Sequence, residues 1–106
     1  MKIIVNKYLV PKGFIAWALY PFIIFRDSKY MSSRKRNHEK IHIAQQKELW
    51  VIGFYILYAF SYLQNLVRRD LAPYKNIVFE REAYSNERNI MYLAKRKKHS
   101  WRKYWK

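Results

Sequence analysis

The feature that most constrains this chain is an uncharged stretch of 19 residues, Leu49–Val67, in the middle of the sequence. A transmembrane helix needs about 20 apolar residues, so the stretch reaches the length of a membrane span. Lys47 precedes it and Arg68 and Arg69 follow it, so the positive charges favour neither orientation. The stretch must therefore be either a membrane span or a helix buried in a protein core.

The charge balance indicates what kind of partner the chain binds. It has 22 Lys and Arg against 7 Asp and Glu, a net charge of +15, and 19% of its residues are aromatic. This balance favours a polyanion, either an anionic membrane surface or nucleic acid. No cleavable signal peptide follows Met1. We therefore expect a cytoplasmic protein, with a peripheral position on the inner face of the membrane as a further expectation.

Length and residue pattern predict a single α+β domain over residues 1–106. The chain is 51% apolar, which suffices for a core, and it has no cysteine for disulfides or thiolate metal sites. We expect a short antiparallel sheet followed by three helices and a basic aromatic tail. The predicted strands are Lys2–Val5, Phe14–Leu19 and Phe22–Phe25. The predicted helical regions are 33–69, divided near Trp50–Gly53, and 75–98, and the tail is 95–106.

The helical region begins with a His-Glu-x-x-His motif, formed by His38, Glu39 and His42. On a helix, the two histidines lie one turn apart on the same face, so both imidazoles can bind one metal ion. Glu39 is rotated by about 100° from His38, which places it beside the ion, where it can take a proton from a water molecule. The motif therefore predicts a metal site, and a chance match is the alternative.

A catalytic zinc site needs a third protein ligand, and the carboxylates downstream of the motif are the candidates. Glu48 lies on the same helix and is not expected to fold back onto the ion, and Asp70 is typical of a helix cap or turn. Glu80, Glu82 and Glu87 remain, in the segment Phe79–Glu87 that opens the last predicted helix. The alternative is that Glu80 and Glu82 are solvated acids favoured by the helix dipole.

Two segments resemble the gluzincins, zinc metallopeptidases whose third ligand is a glutamate on a helix downstream of the His motif. They are Asn-His-Glu-Lys-Ile-His-Ile-Ala-Gln-Gln at 37–46 and Phe-Glu-Arg-Glu-Ala-Tyr at 79–84. In size the chain resembles the minigluzincins and a group of small bacterial proteins of unknown function. The resemblance implies a minimal zincin domain that cleaves a peptide or protein substrate with Zn²⁺. His38, His42 and Glu80 would bind the ion, Glu82 would be a neighbour, and the strand Phe22–Phe25 would pair with the substrate.

The chain departs from the gluzincin pattern at the position of the acid that supports the metal ligands. Gluzincins often carry an acid four residues after the glutamate ligand, where this chain has Tyr84, or Asn86 if Glu82 is the ligand. Gln45 lies on the histidine face and Gln46 on the Glu39 face, so either can support the ligands from behind or belong to a polar helix surface. For the oxyanion of the transition state we consider three donors, Tyr84, Tyr74 and Arg88, and we assign the catalytic role to Tyr84.

A metal ion shared by His42 and Glu80 would exclude a straight membrane span over the uncharged stretch. A straight span over Leu49–Val67 would separate His42 from Glu80 by the bilayer thickness, about 30 Å, which is incompatible with a shared ion. We therefore expect a core helix with one face available to lipid or a partner.

The basic residues support an alternative function. They form two groups, one at the start of the motif helix and one interleaved with aromatic residues in the tail, which suits anionic headgroups. These candidates for an anion or lipid surface are Arg34, Lys35, Arg36, Lys97, Lys98, Trp101, Arg102 and Lys103. In the alternative, the chain is a non-enzymatic protein that binds an anionic membrane surface or nucleic acid, and the His motif is structural or vestigial. Nucleic acid is less favoured, because the sequence has no recognition motif.

Overall fold

The computed structural model describes residues 2–105 and has the predicted α+β class. Met1 and Lys106, the ends of the predicted domain and tail, lie outside the described residues. The strands are β1 (Lys2–Val5), β2 (Ala16–Leu19) and β3 (Phe22–Phe25). The helices are α1 (Ser33–Glu48), α2 (Ile52–Val67), α3 (Val78–Asn86) and α4 (Tyr92–Lys95), with 3₁₀ helices at Ser28–Tyr30 and Ser100–Tyr104.

The sheet is mixed, with the strand order β1-β3-β2. β2 and β3 are antiparallel as predicted, but β1 pairs with β3 in parallel, so the prediction of a purely antiparallel sheet is wrong. Arg26 stabilises the loop from β1 to β2 by donating hydrogen bonds to its carbonyls, including those of Lys7, Val10 and Phe14. β3 lies between β1 and β2, so the prediction that Phe22–Phe25 is a free edge is wrong. β2 is one of the two edge strands of the sheet.

The uncharged stretch does not form one continuous helix. α1 ends at Glu48, and α2 begins at Ile52 after Trp50 and Val51, whose φ angles are 59° and 57°. No single helix within residues 2–105 is long and apolar enough to cross a bilayer, whereas α1 and α2 meet those criteria only as a pair bent by 112°. The division predicted near Trp50–Gly53 is therefore present.

Two apolar clusters form the core. Ala18, Ile23 and Phe25 of the sheet pack on Ile43 of α1 in the first cluster. The second joins α2, α3 and the tail, and its buried members are Phe54, Ile77, Val78 and Phe79. Trp101, a predicted lipid-facing residue, is partly buried and packs against this cluster, with its ring centroid 5.1 Å from that of Phe79. Its assignment to an anion or lipid surface stays a prediction.

The predicted helix over 75–98 is interrupted. α3 ends at Asn86 and α4 covers only Tyr92–Lys95. The side-chain amide of the buried Asn37 donates to the carbonyls of Asn86, Glu87 and Asn89. The carbonyls of Asn86 and Asn89 also accept backbone N–H groups, from Asn89 and Tyr92, so Asn37 of α1 adds a further partner to the chain that follows α3.

Gln46 connects α1 to the edge strand. Its Nε2 donates to the carbonyl of Ala18 over 2.7 Å, and its Oε1 accepts from the backbone N–H of Tyr20 over 2.6 Å. The side chain is fully buried. One amide thus satisfies two backbone groups at the β2–β3 turn.

We predict that Gln46→Ala lowers the free energy of unfolding by about 1–3 kcal/mol, because it removes the partner of the Tyr20 N–H and leaves the carbonyl of Ala18 with the hydroxyl of Tyr55 alone. Urea denaturation measures the change, and Lys47→Ala, at the exposed neighbouring position, is the matched control. Equal stability of the two variants would show that the bridge does not hold β2 in place.

Candidate metal centre

Three buried side chains from two helices converge on one point. His38 and His42 project from α1, one turn apart, and Glu80 projects from the first turn of α3. The Nε2 atom of each histidine lies 3.1 Å from Oε1 of Glu80. One donor atom from each of the three residues lies within 4.8 Å of the other two, so the group could hold a metal ion.

The other ring nitrogens of the two histidines have acceptors. Nδ1 of His38 lies 2.8 Å from Oε1 of Glu87, and Nδ1 of His42 lies 2.8 Å from Oε1 of Gln45. Acceptors at these positions place the proton on Nδ1 in each neutral ring and leave the Nε2 lone pair toward Glu80. Gln45 therefore contacts His42 directly, and its role in supporting a metal ligand stays a prediction.

The carboxylate beside Nδ1 of His38 belongs to Glu87 and not to position 84 or 86, where the resemblance to gluzincins would place a supporting acid. Glu87 lies at the C-terminal end of α3, seven residues after Glu80, and Arg34 lies 3.2 Å from its second oxygen. Residues seven apart are on the same face of a helix, and this spacing was the available signal for Glu87. Arg34, predicted for an anion surface, thus forms an ion pair at the rim of the cluster.

Tyr58 of α2 is a further member of the centre that the sequence pattern attributes to core packing. Its hydroxyl donates to Oε2 of Glu80 over 2.7 Å. Burial and the adjacent Glu80 raise the pKa of Tyr58, so the hydroxyl keeps its proton as a donor. No local motif indicates this contact, because the two residues lie 22 positions apart in sequence and on different helices.

Glu82 is directed away from the histidines. Its carboxylate accepts from Arg96 over 2.6 Å, from Tyr92 over 2.6 Å and from Gln45 over 2.9 Å. Arg96 also lies 2.6 Å from Glu48, which is turned away from the histidines as expected. Burial raises the pKa of Glu82, but the hydrogen bond from Arg96 has the opposite effect, and the net pKa is lowered. The cluster therefore contains Glu80 and not Glu82.

The electrostatics of the cluster favour a cation between its members. Burial lowers the pKa of His42, but Glu80 more than offsets this effect and raises the pKa to about 9. Burial likewise disfavours the charged form of Glu80, and the two histidines outweigh it, so its pKa is lowered. An ionised carboxylate thus lies buried beside two imidazoles, an arrangement that attracts either a proton or a metal ion.

A cavity of about 530 Å³ opens onto the cluster. Glu39 borders it and is buried, with Oε2 3.9 Å from Nε2 of His38. Ala16 of the edge strand β2 also borders the cavity. Arg26 donates its backbone N–H to the carbonyl of Ile15, so these two residues form a hydrogen-bonded pair next to Ala16. In an antiparallel pair, the N–H and C=O groups of successive residues point alternately toward and away from the neighbouring strand. The N–H and C=O of Ala16 therefore point away from β3. Glu39 and a free strand edge thus both line the cavity.

The remaining predicted residues divide between the cavity and the surface. The ring of Tyr84 packs edge-on against His38, with centroids 4.6 Å apart, and Tyr74 also borders the cavity. Gln46 borders it too, although its amide is bonded to β2 and the turn. Lys35 lies at the cavity, whereas these predicted residues are exposed elsewhere: Arg36, Arg88, Lys97, Lys98, Arg102 and Lys103.

Comparison with known proteins gives no family assignment. No family model, curated protein or solved structure matches the chain. The resemblance to gluzincins therefore remains a prediction that rests on the two sequence segments.

We predict that Arg96→Met lowers the free energy of unfolding by about 3–5 kcal/mol, since it leaves the fully buried Glu82 carboxylate without its cation. Thermal or urea unfolding followed by circular dichroism measures this loss. Arg88→Met, at an exposed arginine, is the matched control, and a surface change of this kind shifts stability by about 0.5 kcal/mol or less. Equal effects of the two substitutions would contradict the role given to Arg96.

Proposed function

We propose that this protein is a zinc-dependent peptidase whose metal ligands are His38, His42 and Glu80. The observation that carries the proposal is the convergence of both Nε2 atoms on one oxygen of Glu80, 3.1 Å from each. Two imidazoles and a carboxylate are the ligand set of many catalytic zinc sites, which leave a fourth position for water.

The spacing of the donor atoms suits a zinc ion. Ligands at about 2.0–2.2 Å from a tetrahedral zinc lie about 3.4 Å from one another, close to the 3.1 Å between Glu80 and each histidine. Glu87 and Gln45 hold the histidine rings from behind, as carboxylates and amides do around metal-binding histidines. The residues present therefore fit this metal.

The reaction assigned to the site is hydrolysis of a peptide bond. A bound zinc ion lowers the pKa of its water to about 7 and polarises a carbonyl oxygen. Glu39 is the general base that accepts the water proton on its carboxylate and passes it to the leaving amine. Its burial at the cavity wall places it beside the histidines.

The edge strand β2 provides a place for an extended substrate. The N–H and C=O of Ala16 point away from β3 at the border of the cavity and can pair with a peptide backbone. This edge replaces β3, which pairs on both sides and cannot accept a further strand. Tyr84, whose ring contacts His38, remains the candidate donor to the oxyanion.

We predict that untagged protein reconstituted with zinc and dialysed retains about one equivalent of the metal, and that His38→Ala retains none. Elemental analysis measures both, with His99→Ala as the matched control because His99 lies outside the cluster. Chelation should lower the melting temperature of the wild type and leave that of His38→Ala unchanged. Equal zinc content in His38→Ala and wild type would contradict the assigned site.

We predict that Glu39→Gln retains zinc and loses hydrolysis by about 10²–10⁴-fold, because the amide cannot accept the proton. A library of internally quenched fluorescent peptides with randomised sequences provides the substrates, and zinc content is measured in the same samples. Hydrolysis at the wild-type rate by the zinc-loaded variant would contradict the role of Glu39.

A further inference from the structure

α2 exposes a continuous apolar face to the surroundings. One side of the helix carries large apolar residues spaced three or four apart, and each is more than half exposed. They are Ile52 (73%), Ile56 (64%), Phe60 (54%), Leu63 (58%) and Val67 (82%), and we refer to them as the α2 stripe. Helices at a protein surface normally present polar residues outward, so this face lacks the side chains that water favours.

The opposite side of α2 is already occupied by the protein. Phe54 is buried in the second core cluster, Tyr58 bonds Glu80, and Ser61 accepts a hydrogen bond from the backbone of Val78. No residue of the α2 stripe borders the cavity at the metal centre. The α2 stripe therefore takes no part in the core contacts of α2 or in the proposed metal and substrate sites. An inference about it does not depend on the proposed peptidase function.

Exposed apolar residues extend the stripe beyond both ends of the helix. Trp50, just before α2, is 88% exposed, and Leu71, after it, is fully exposed. From Ile52 to Val67 the helix rises about 1.5 Å per residue, so the apolar surface is about 22 Å long without these additions. Monomeric soluble proteins rarely show a contiguous apolar surface of this size unless it binds something.

Cations and aromatic rings of the tail lie beside this face. The ring of Trp105 stacks on that of Phe60, with centroids 6.1 Å apart and an interplanar angle of 24°. Arg102 and Lys103, in the 3₁₀ helix just before Trp105, are both exposed. Arg81 holds this segment by donating to the carbonyl of Tyr104 over 2.6 Å. The fold thus positions positive charge next to the stripe.

We propose that the α2 stripe docks onto an anionic lipid bilayer, with the helix axis parallel to the membrane plane. An apolar face flanked by Lys, Arg and Trp is the arrangement of helices that insert at the headgroup boundary. The net charge of +15 attracts an anionic leaflet and disfavours a second copy of the same chain on this face. Charge complementarity therefore selects the bilayer as the occupant.

Co-sedimentation with lipid vesicles tests this proposal. Full-length protein is mixed with vesicles of phosphatidylcholine alone and with vesicles in which phosphatidylglycerol replaces about a third of it. We expect binding to the anionic vesicles, weakened by salt, with a blue shift of tryptophan fluorescence as Trp50 enters the interface. The variant Ile56→Glu should bind the anionic vesicles about tenfold more weakly or worse, because its carboxylate lies in the apolar face.

Ile90→Glu is the matched control, because Ile90 is 70% exposed and is separate from the stripe. It introduces the same charge and should bind vesicles as the wild type does. Both positions are exposed, and circular dichroism confirms that the variants fold. Equal binding of Ile56→Glu and Ile90→Glu would overturn the proposal. It would also be overturned by a wild type that ignores anionic vesicles, or by a dimer in sedimentation velocity that Ile56→Glu dissociates without any vesicle binding.

Discussion

The carboxylate of Glu80 is the contact on which the arrangement of the helices depends. One of its oxygens faces both histidines of α1, and the other accepts the hydroxyl of Tyr58 from α2. Three helices therefore meet at one buried anion. Burying a carboxylate is costly unless it is paired and hydrogen-bonded, and here every helix supplies a partner. The core packs around this contact, with Phe54 and Phe79 adjacent to the same residues.

A second polar layer surrounds the first and connects it to the C-terminal part of the chain. Gln45 accepts from His42 and donates to Glu82, which in turn pairs with Arg96. Arg96 also binds Glu48 at the end of α1. The charged groups of this layer are nearly all paired, so the layer makes the position of the histidines rigid. One face of α2 contacts Glu80 of the cluster through Tyr58, and the opposite face carries the α2 stripe.

Local patterns predicted part of this structure, and non-local contacts account for the rest. The spacing of His38 and His42 and the break before α2 depend on neighbouring residues, so both were accessible from sequence. Glu80 was favoured only through the resemblance to gluzincins. The contact of Tyr58 with Glu80 and the parallel pairing of β1 with β3 join distant segments, and no short sequence window contains them. The contact of the Trp101 ring with Phe79 is also non-local, and its basic neighbours in sequence do not indicate it.

X-ray absorption at the zinc K edge tests the central claim, a zinc ion held by both histidines and a carboxylate, most directly. The account predicts two imidazole nitrogens and one or two oxygens at about 2.0–2.2 Å from the metal. It further predicts that His42→Ala, loaded with zinc in excess, shows one imidazole fewer. A shell of oxygens alone, or two imidazoles retained in His42→Ala, would place the metal elsewhere and contradict the account.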